Sequence, residues 1–175
     1  MNIKASALHF FSLRSKTLFM VSTLTLTAFA NAFAQASLTE LKEPILTVRE
    51  LYFNTSNHHI DGVTDINVHP EFWTVDQLDT HTQAFRISGY HGEKLYTEIY
   101  LVKDGGLIYA LEEVKGMPLN RRTQSIWRCE YFIKEGQVID YTSLGHGKTE
   151  DDAWRPEDIL VQFSKRKAEF EKIQK

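Results

Sequence analysis

The chain has 175 residues, 42% of them hydrophobic and 12% aromatic, with 20 Lys and Arg against 23 Asp and Glu. That length supports one domain with a proper core, and a formal charge of −3 argues against nucleic acid or an anionic membrane surface as a partner. A single cysteine, Cys129, excludes a disulfide framework.

The first 34 residues read as a cleavable export signal. Lys4, Arg14 and Lys16 give a positive start, and no acid precedes Glu40. An apolar stretch from Thr17 to Ala30 follows and closes on Ala32-Phe33-Ala34, a small-x-small cleavage pattern. No arginine pair precedes the stretch and no cysteine lies at the cut, which fits the general secretory route without a lipid anchor. At 18 residues Thr17 to Ala34 is at the low edge of what spans a bilayer, and Ser22, Thr23, Thr25, Thr27 and Asn31 weaken it further, so a cleaved signal is expected rather than stable membrane insertion. Cleavage near Gln35 leaves a single domain over residues 35–175, with 17 basic against 23 acidic residues, in the periplasm or secreted.

An N-terminal helix is predicted from Pro44, with Leu41, Ile45, Val48 and Tyr52 along one side. It stops where Asn54-Thr55-Ser56-Asn57 turns polar, and an irregular segment follows. Beyond it, period-two alternation predicts strands near 83–90, 94–103, 107–115, 124–134 and 137–143. The segment Tyr100-Leu101-Val102-Lys103-Asp104-Gly105-Gly106-Leu107-Ile108 matches Tyr131-Phe132-Ile133-Lys134-Glu135-Gly136-Gln137-Val138-Ile139 at an offset of 31. Asp-Gly and Glu-Gly supply tight turns, so two β-hairpins in series are expected. Gly145-His146-Gly147-Lys148-Thr149 resembles the end of a phosphate-binding loop. However, Thr142 stands where that loop needs glycine, and Glu150-Asp151-Asp152 would repel phosphate. A C-terminal helix begins near Pro156, with Ile159, Leu160, Phe163, Phe170 and Ile173 on one stripe. Short links throughout give an α+β domain. Its antiparallel β-meander of about five strands is packed by an N-terminal and a C-terminal helix, both expected on one face.

The candidate sites are thin. Tyr96 and Tyr100 share a strand face, with Tyr109 and Trp127 on strands expected beside it. Half-exposed aromatics on a rigid sheet are a common binding surface, although strands favour aromatics in any case. His58 and His59 with Asp61 offer donor types suited to zinc or copper, yet adjacent histidines point apart and no paired spacing such as His-x3-His occurs. A metal site would therefore need the fold to bring scattered histidines together. No Gly-x-Ser-x-Gly elbow exists, and Ser143 near His146 makes no recognisable triad. Glu112-Glu113 and Asp151-Asp152 are neighbours in sequence, which says nothing about two acids facing across a cleft. Cys129 alternates onto the side of Trp127 and Tyr131 and is expected to be buried.

No motif is specific enough to name a family. The sequence therefore predicts a non-catalytic exported domain without a cofactor, binding an envelope or extracellular partner: a protein, a cell-wall glycan, or a hydrolase that it inhibits. The alternative is a histidine-based metal-binding protein or hydrolase in the same compartment.

Overall fold

The computed structural model describes residues 37–55, 59–66, 69–117 and 125–173. The chain divides into two compact units, residues 1–41 and 42–175. Of the first, only residues 37–41 are described, all helical; residues 1–34, read above as an export signal, lie outside the described residues. Among the described residues no helix is long and apolar enough to cross a membrane.

The second unit is built on seven antiparallel strands in simple chain order. They are β1 (Gly62–Ile66), β2 (His69–Gln77), β3 (Thr82–His91), β4 (Lys94–Lys103), β5 (Gly106–Gly116), β6 (Ser125–Lys134) and β7 (Gln137–Gly145). The last five match the alternation of the sequence; β1 and β2 correct the expected count of five. They occupy the segment read as irregular, and the reason is local. Pro70 stands second in β2, where it cannot donate to the ladder. β1 is an edge strand with Val63 exposed, so it shows no buried alternation. β2 supplies what β1 lacks: Trp73 is wholly buried, and its indole nitrogen donates to the Thr64 hydroxyl at 2.8 Å.

The two matched hairpins form as the repeat requires. Asp104 and Gly105 have φ of 49° and 78°, and Glu135 and Gly136 have 52° and 75°. Positive φ at both central residues gives turns whose twist matches that of the strands. Each hairpin carries an irregularity just before its turn, between Leu101 and Val102 in the first and between Phe132 and Ile133 in the second. The bulge thus recurs at the same 31-residue offset as the sequence.

Helix α1 runs over residues 37–55; within the second unit its residues 42–55 and helix α2 (Asp158–Ile173) flank the strands. They do not share a face, contrary to the expectation above. Ile45, Val48 and Tyr52 of α1 pack with Ala84, Ile99, Leu101, Tyr109, Leu111 and Phe132. Ile159, Leu160, Phe163 and Phe170 of α2 pack with Trp73, Phe85, Ile87, Tyr100, Ala110, Tyr131 and Ile133 on the other side. Both sheet faces carry large apolar side chains, and cover on one side alone would leave the second core in water. The stripe residue Ile173 lies outside the residues whose side chains are described. Helix α1 also begins before Pro44, which sits within it on the exposed side, where water can satisfy the carbonyl left without a donor.

Each helix is pinned by one arginine on a Glu–Tyr pair of the sheet. Arg49 donates to both carboxylate oxygens of Glu130, at 2.8 and 3.1 Å, and Tyr109 donates to the same carboxylate at 2.8 Å. On the opposite face Arg166 donates to Glu98 through two nitrogens at 2.9 Å each and to Glu71 likewise, while Tyr100 donates to Glu98 at 2.8 Å. Paired geometry of this kind fixes orientation as well as adding energy.

Cys129 is fully buried on the α2 face, as its alternation predicts. Burial pushes its thiol up to about 11, only partly offset by a hydrogen bond with Tyr131. The native protein is therefore expected to react slowly with a thiol reagent, with labelling becoming fast on denaturation. Fast labelling of the folded chain, followed by absorbance, would show that the strand does not turn this residue inward.

Candidate functional site

Strand pairing places one row of polar side chains across the α2 face. Glu98 lies directly opposite Glu112 on β4 and β5, Glu112 opposite Cys129 on β6, and Cys129 opposite Ser143 on β7. One rung further along, Tyr96 faces Val114 and Val114 faces Trp127. A cleft of about 270 Å³ opens where the Glu98–Glu112 pair meets the Tyr96–Val114–Trp127 row. Tyr96, Glu98, Glu112, Trp127 and Lys148 line it, with Lys94 at its rim.

Two carboxylates directly opposite each other repel unless each is compensated. Here each has its own cation and its own phenol. Glu98 has Arg166 and Tyr100; Glu112 accepts from Lys148 at 2.5 Å and from the Tyr131 hydroxyl at 2.7 Å. Burial alone would raise the Glu98 carboxyl, but the Arg166 guanidinium and the Tyr100 hydroxyl outweigh it and hold it below the ordinary carboxylate range. Burial and the neighbouring Glu98 charge push the Tyr100 phenol well up; burial and Glu112 do the same for Tyr131. Both tyrosines stay protonated and act as donors.

The segment that resembled a phosphate-binding loop forms the far wall. Gly147 lies against the Trp127 indole so closely that a Cβ there would sit 2.2 Å from the ring. The indole N–H donates to Ser143 Oγ at 3.2 Å and Thr149 Oγ1 at 3.1 Å, and those two hydroxyls are 2.8 Å apart. The Lys148 amine lies 5.6 Å from the Trp127 ring centroid. The glycines and Thr149 of this segment therefore serve to seat a loop over Trp127 and deliver Lys148 to Glu112. Ser143 is engaged with Trp127 and Thr149, while His146 pairs with Glu150 at 2.6 Å, so the two form no nucleophile–base couple.

Of the four aromatics singled out by sequence, two line the cleft. Tyr96 is 39% exposed; Trp127 is 4% exposed, with Gly147 over its ring. Tyr100 and Tyr109 are 0% exposed and lie on opposite faces, under α2 and α1. Alternation sets the side of the sheet on which each aromatic stands, but it carries no record of which positions a helix covers.

His58 lies outside the described residues. His59 Nε2 is 3.0 Å from Asp61 Oδ1, and Asp61 also accepts from the Val75 backbone N–H at 2.6 Å. Among the described residues no group of three or more His, Cys, Asp and Glu could hold a metal ion. Sequence reasoning missed two features of the site: the facing pair Glu98 and Glu112, and the meeting of His69 with His91, whose ring centroids are 4.1 Å apart. No local signal marked the latter, because the segment that forms β2 read as irregular and its pairing with β3 was not expected.

No protein-family model matches the chain, and no curated protein or solved structure matches it either, so the chemistry of the cleft stands on its own geometry.

Proposed function

We propose that this is an exported, non-catalytic binding domain that holds a saccharide segment of a cell-envelope glycan in the cleft between Tyr96 and Trp127. The observation that carries the reading is the placement of the exposed Tyr96 ring on a rigid strand, beside the carboxylates Glu98 and Glu112 and the amines of Lys94 and Lys148. Aromatic rings stack on the apolar faces of sugars, and fixed carboxylates and amines orient hydroxyl groups. A cleft of about 270 Å³ is at the low end for ligand pockets and suits a small ring system better than a protein segment. Export is supported by the charged start, the apolar run and Ala32-Phe33-Ala34.

A glycoside hydrolase, unlike the histidine-based alternative, would draw on the same two carboxylates. Glycoside hydrolysis requires one of its acids to stay protonated near neutral pH. Arg166 holds Glu98 in the opposite sense, and Glu112 is occupied by Lys148 and Tyr131. Binding fits this electrostatics better than acid catalysis.

Titration of soluble cell-wall glycan fragments by calorimetry tests the proposal. Tyr96→Ala is expected to weaken binding by about 1 kcal/mol or more while leaving the melting temperature close to that of the unaltered chain. Undiminished glycan binding by the variant, or absence of glycan binding by the parent, defeats the reading.

A further inference from the structure

We propose that His69 and His91 form a two-histidine site for a divalent transition-metal ion of the imidazole-preferring kind, Cu(II), Ni(II) or Zn(II). The two residues lie on adjacent antiparallel strands, His69 at the start of β2 and His91 at the end of β3. The pair Glu71 and Gly89 sets the register, and one step of two residues outward along each strand brings His69 and His91 onto the same face. Cross-strand neighbours of this kind have Cβ atoms about 4.5–5.5 Å apart, a separation from which two imidazoles can converge on one ion. Their ring centroids are 4.1 Å apart with the planes inclined at 42°, so the two imidazoles are already in direct contact.

The local chain holds this pair in place. His69 precedes Pro70, which confines its backbone to extended conformations. His91 pairs with Lys94 across the tight turn that joins β3 to β4, and Tyr96 packs edge-on against its ring at 5.0 Å. Side chains mounted on strands are positioned more precisely than side chains on loops. His69 is half-buried and His91 exposed, so an ion can reach them and water can complete its coordination. Imidazole nitrogen suits copper, nickel and zinc, whereas calcium and magnesium require oxygen ligands, which sets the class of ion. Nothing in this inference depends on what occupies the cleft, although Tyr96 borders both.

The test is calorimetric titration of the chelator-stripped protein with Cu(II), Ni(II) and Zn(II) in turn, with circular dichroism to confirm folding. One equivalent of Cu(II) or Ni(II) is expected to bind saturably, and addition of the ion is expected to raise the melting temperature. His69→Ala and His91→Ala should each weaken binding at least tenfold, and the double variant should lose it. His91→Asn, which keeps a polar side chain at the turn, should lose the same tenfold. His81→Ala and His146→Ala should bind as the parent does. Absence of saturable binding by the parent overturns the site, as does a folded double variant that binds like the parent. Glycan binding measured on the same variants keeps the two proposals separate, because loss of metal with glycan affinity retained touches only the cleft-independent site.

Discussion

Replacing Arg166 by alanine is expected to destabilise the protein by about 3–5 kcal/mol, the usual cost of removing one partner from a buried ion pair. The side chain is only 17% exposed, and Glu71 and Glu98 at its tip are 15% and 18% exposed. Removing the guanidinium leaves two carboxylates beside Trp73 and Tyr100 with no cation between them, and α2 loses its polar anchor. The pH dependence gives the prediction a sign. In the intact protein the Glu98 carboxyl is held below its ordinary value, so its contribution is fully present above the unfolded-state value, about 4.3, and is lost as pH falls through the folded one. In the variant burial is no longer opposed by Arg166, and protonating Glu98 relieves the cost. The stability gap between variant and parent should therefore narrow as pH falls toward 4, measured by urea unfolding at several pH values. A gap that stays constant across that range would mean that Arg166 acts through packing of its stem alone.

Gly147→Ala is expected to cost about 1–3 kcal/mol, the range for overpacking a filled site. The new Cβ would fall 2.2, 2.5 and 2.7 Å from three atoms of the Trp127 indole. The ring itself is held by strand β6 and by its hydrogen bonds to Ser143 and Thr149, so the loop must move. Movement withdraws Lys148 from Glu112 and leaves that buried carboxylate with only the Tyr131 hydroxyl. Tryptophan fluorescence should shift to the red as water reaches the indole, and the melting temperature should fall with it. His146→Ala, one residue away, removes an exposed side chain and should leave stability nearly unchanged. Equal melting of the two variants would show that Gly147 does not lie against Trp127.

The two predictions mark what was legible in the chain and what was not. The Gly-His-Gly-Lys-Thr segment was visible as a motif, but its residues acquire a meaning only from Trp127, which lies some twenty positions earlier. In the sequence Arg166 stands in a basic run, Lys165-Arg166-Lys167, with nothing local to set it apart from its neighbours. Its seat on Glu71 and Glu98 depends on α2 crossing the sheet at a particular angle, and local spacing carries no record of that angle. The helical stripe Ile159, Leu160, Phe163 and Phe170 was legible because burial on one side of a helix repeats every three to four residues.

By itself the sequence determined the last five strands, the turns at Asp104-Gly105 and Glu135-Gly136, the inward direction of Cys129 and the existence of two amphipathic helices. Each of these rests on neighbours within a few residues: alternation, the positive φ that glycine accepts, and helical periodicity. The tertiary structure decided the remainder. A turn at Asp104-Gly105 read without its bulge would set Leu111 opposite Glu98; the irregularity between Leu101 and Val102 shifts the register by one and brings Glu112 there instead. A shift of one residue exchanges the faces of a strand, so this single irregularity decides whether the cleft has a carboxylate or a leucine on its floor. The same holds for β1 and β2, whose pairing rests on Trp73 reaching Thr64, and for the helices, which go to opposite faces because each face has a core to cover. Register and cover are settled by many weak contacts between distant residues, and those contacts exist only once the chain has closed on itself.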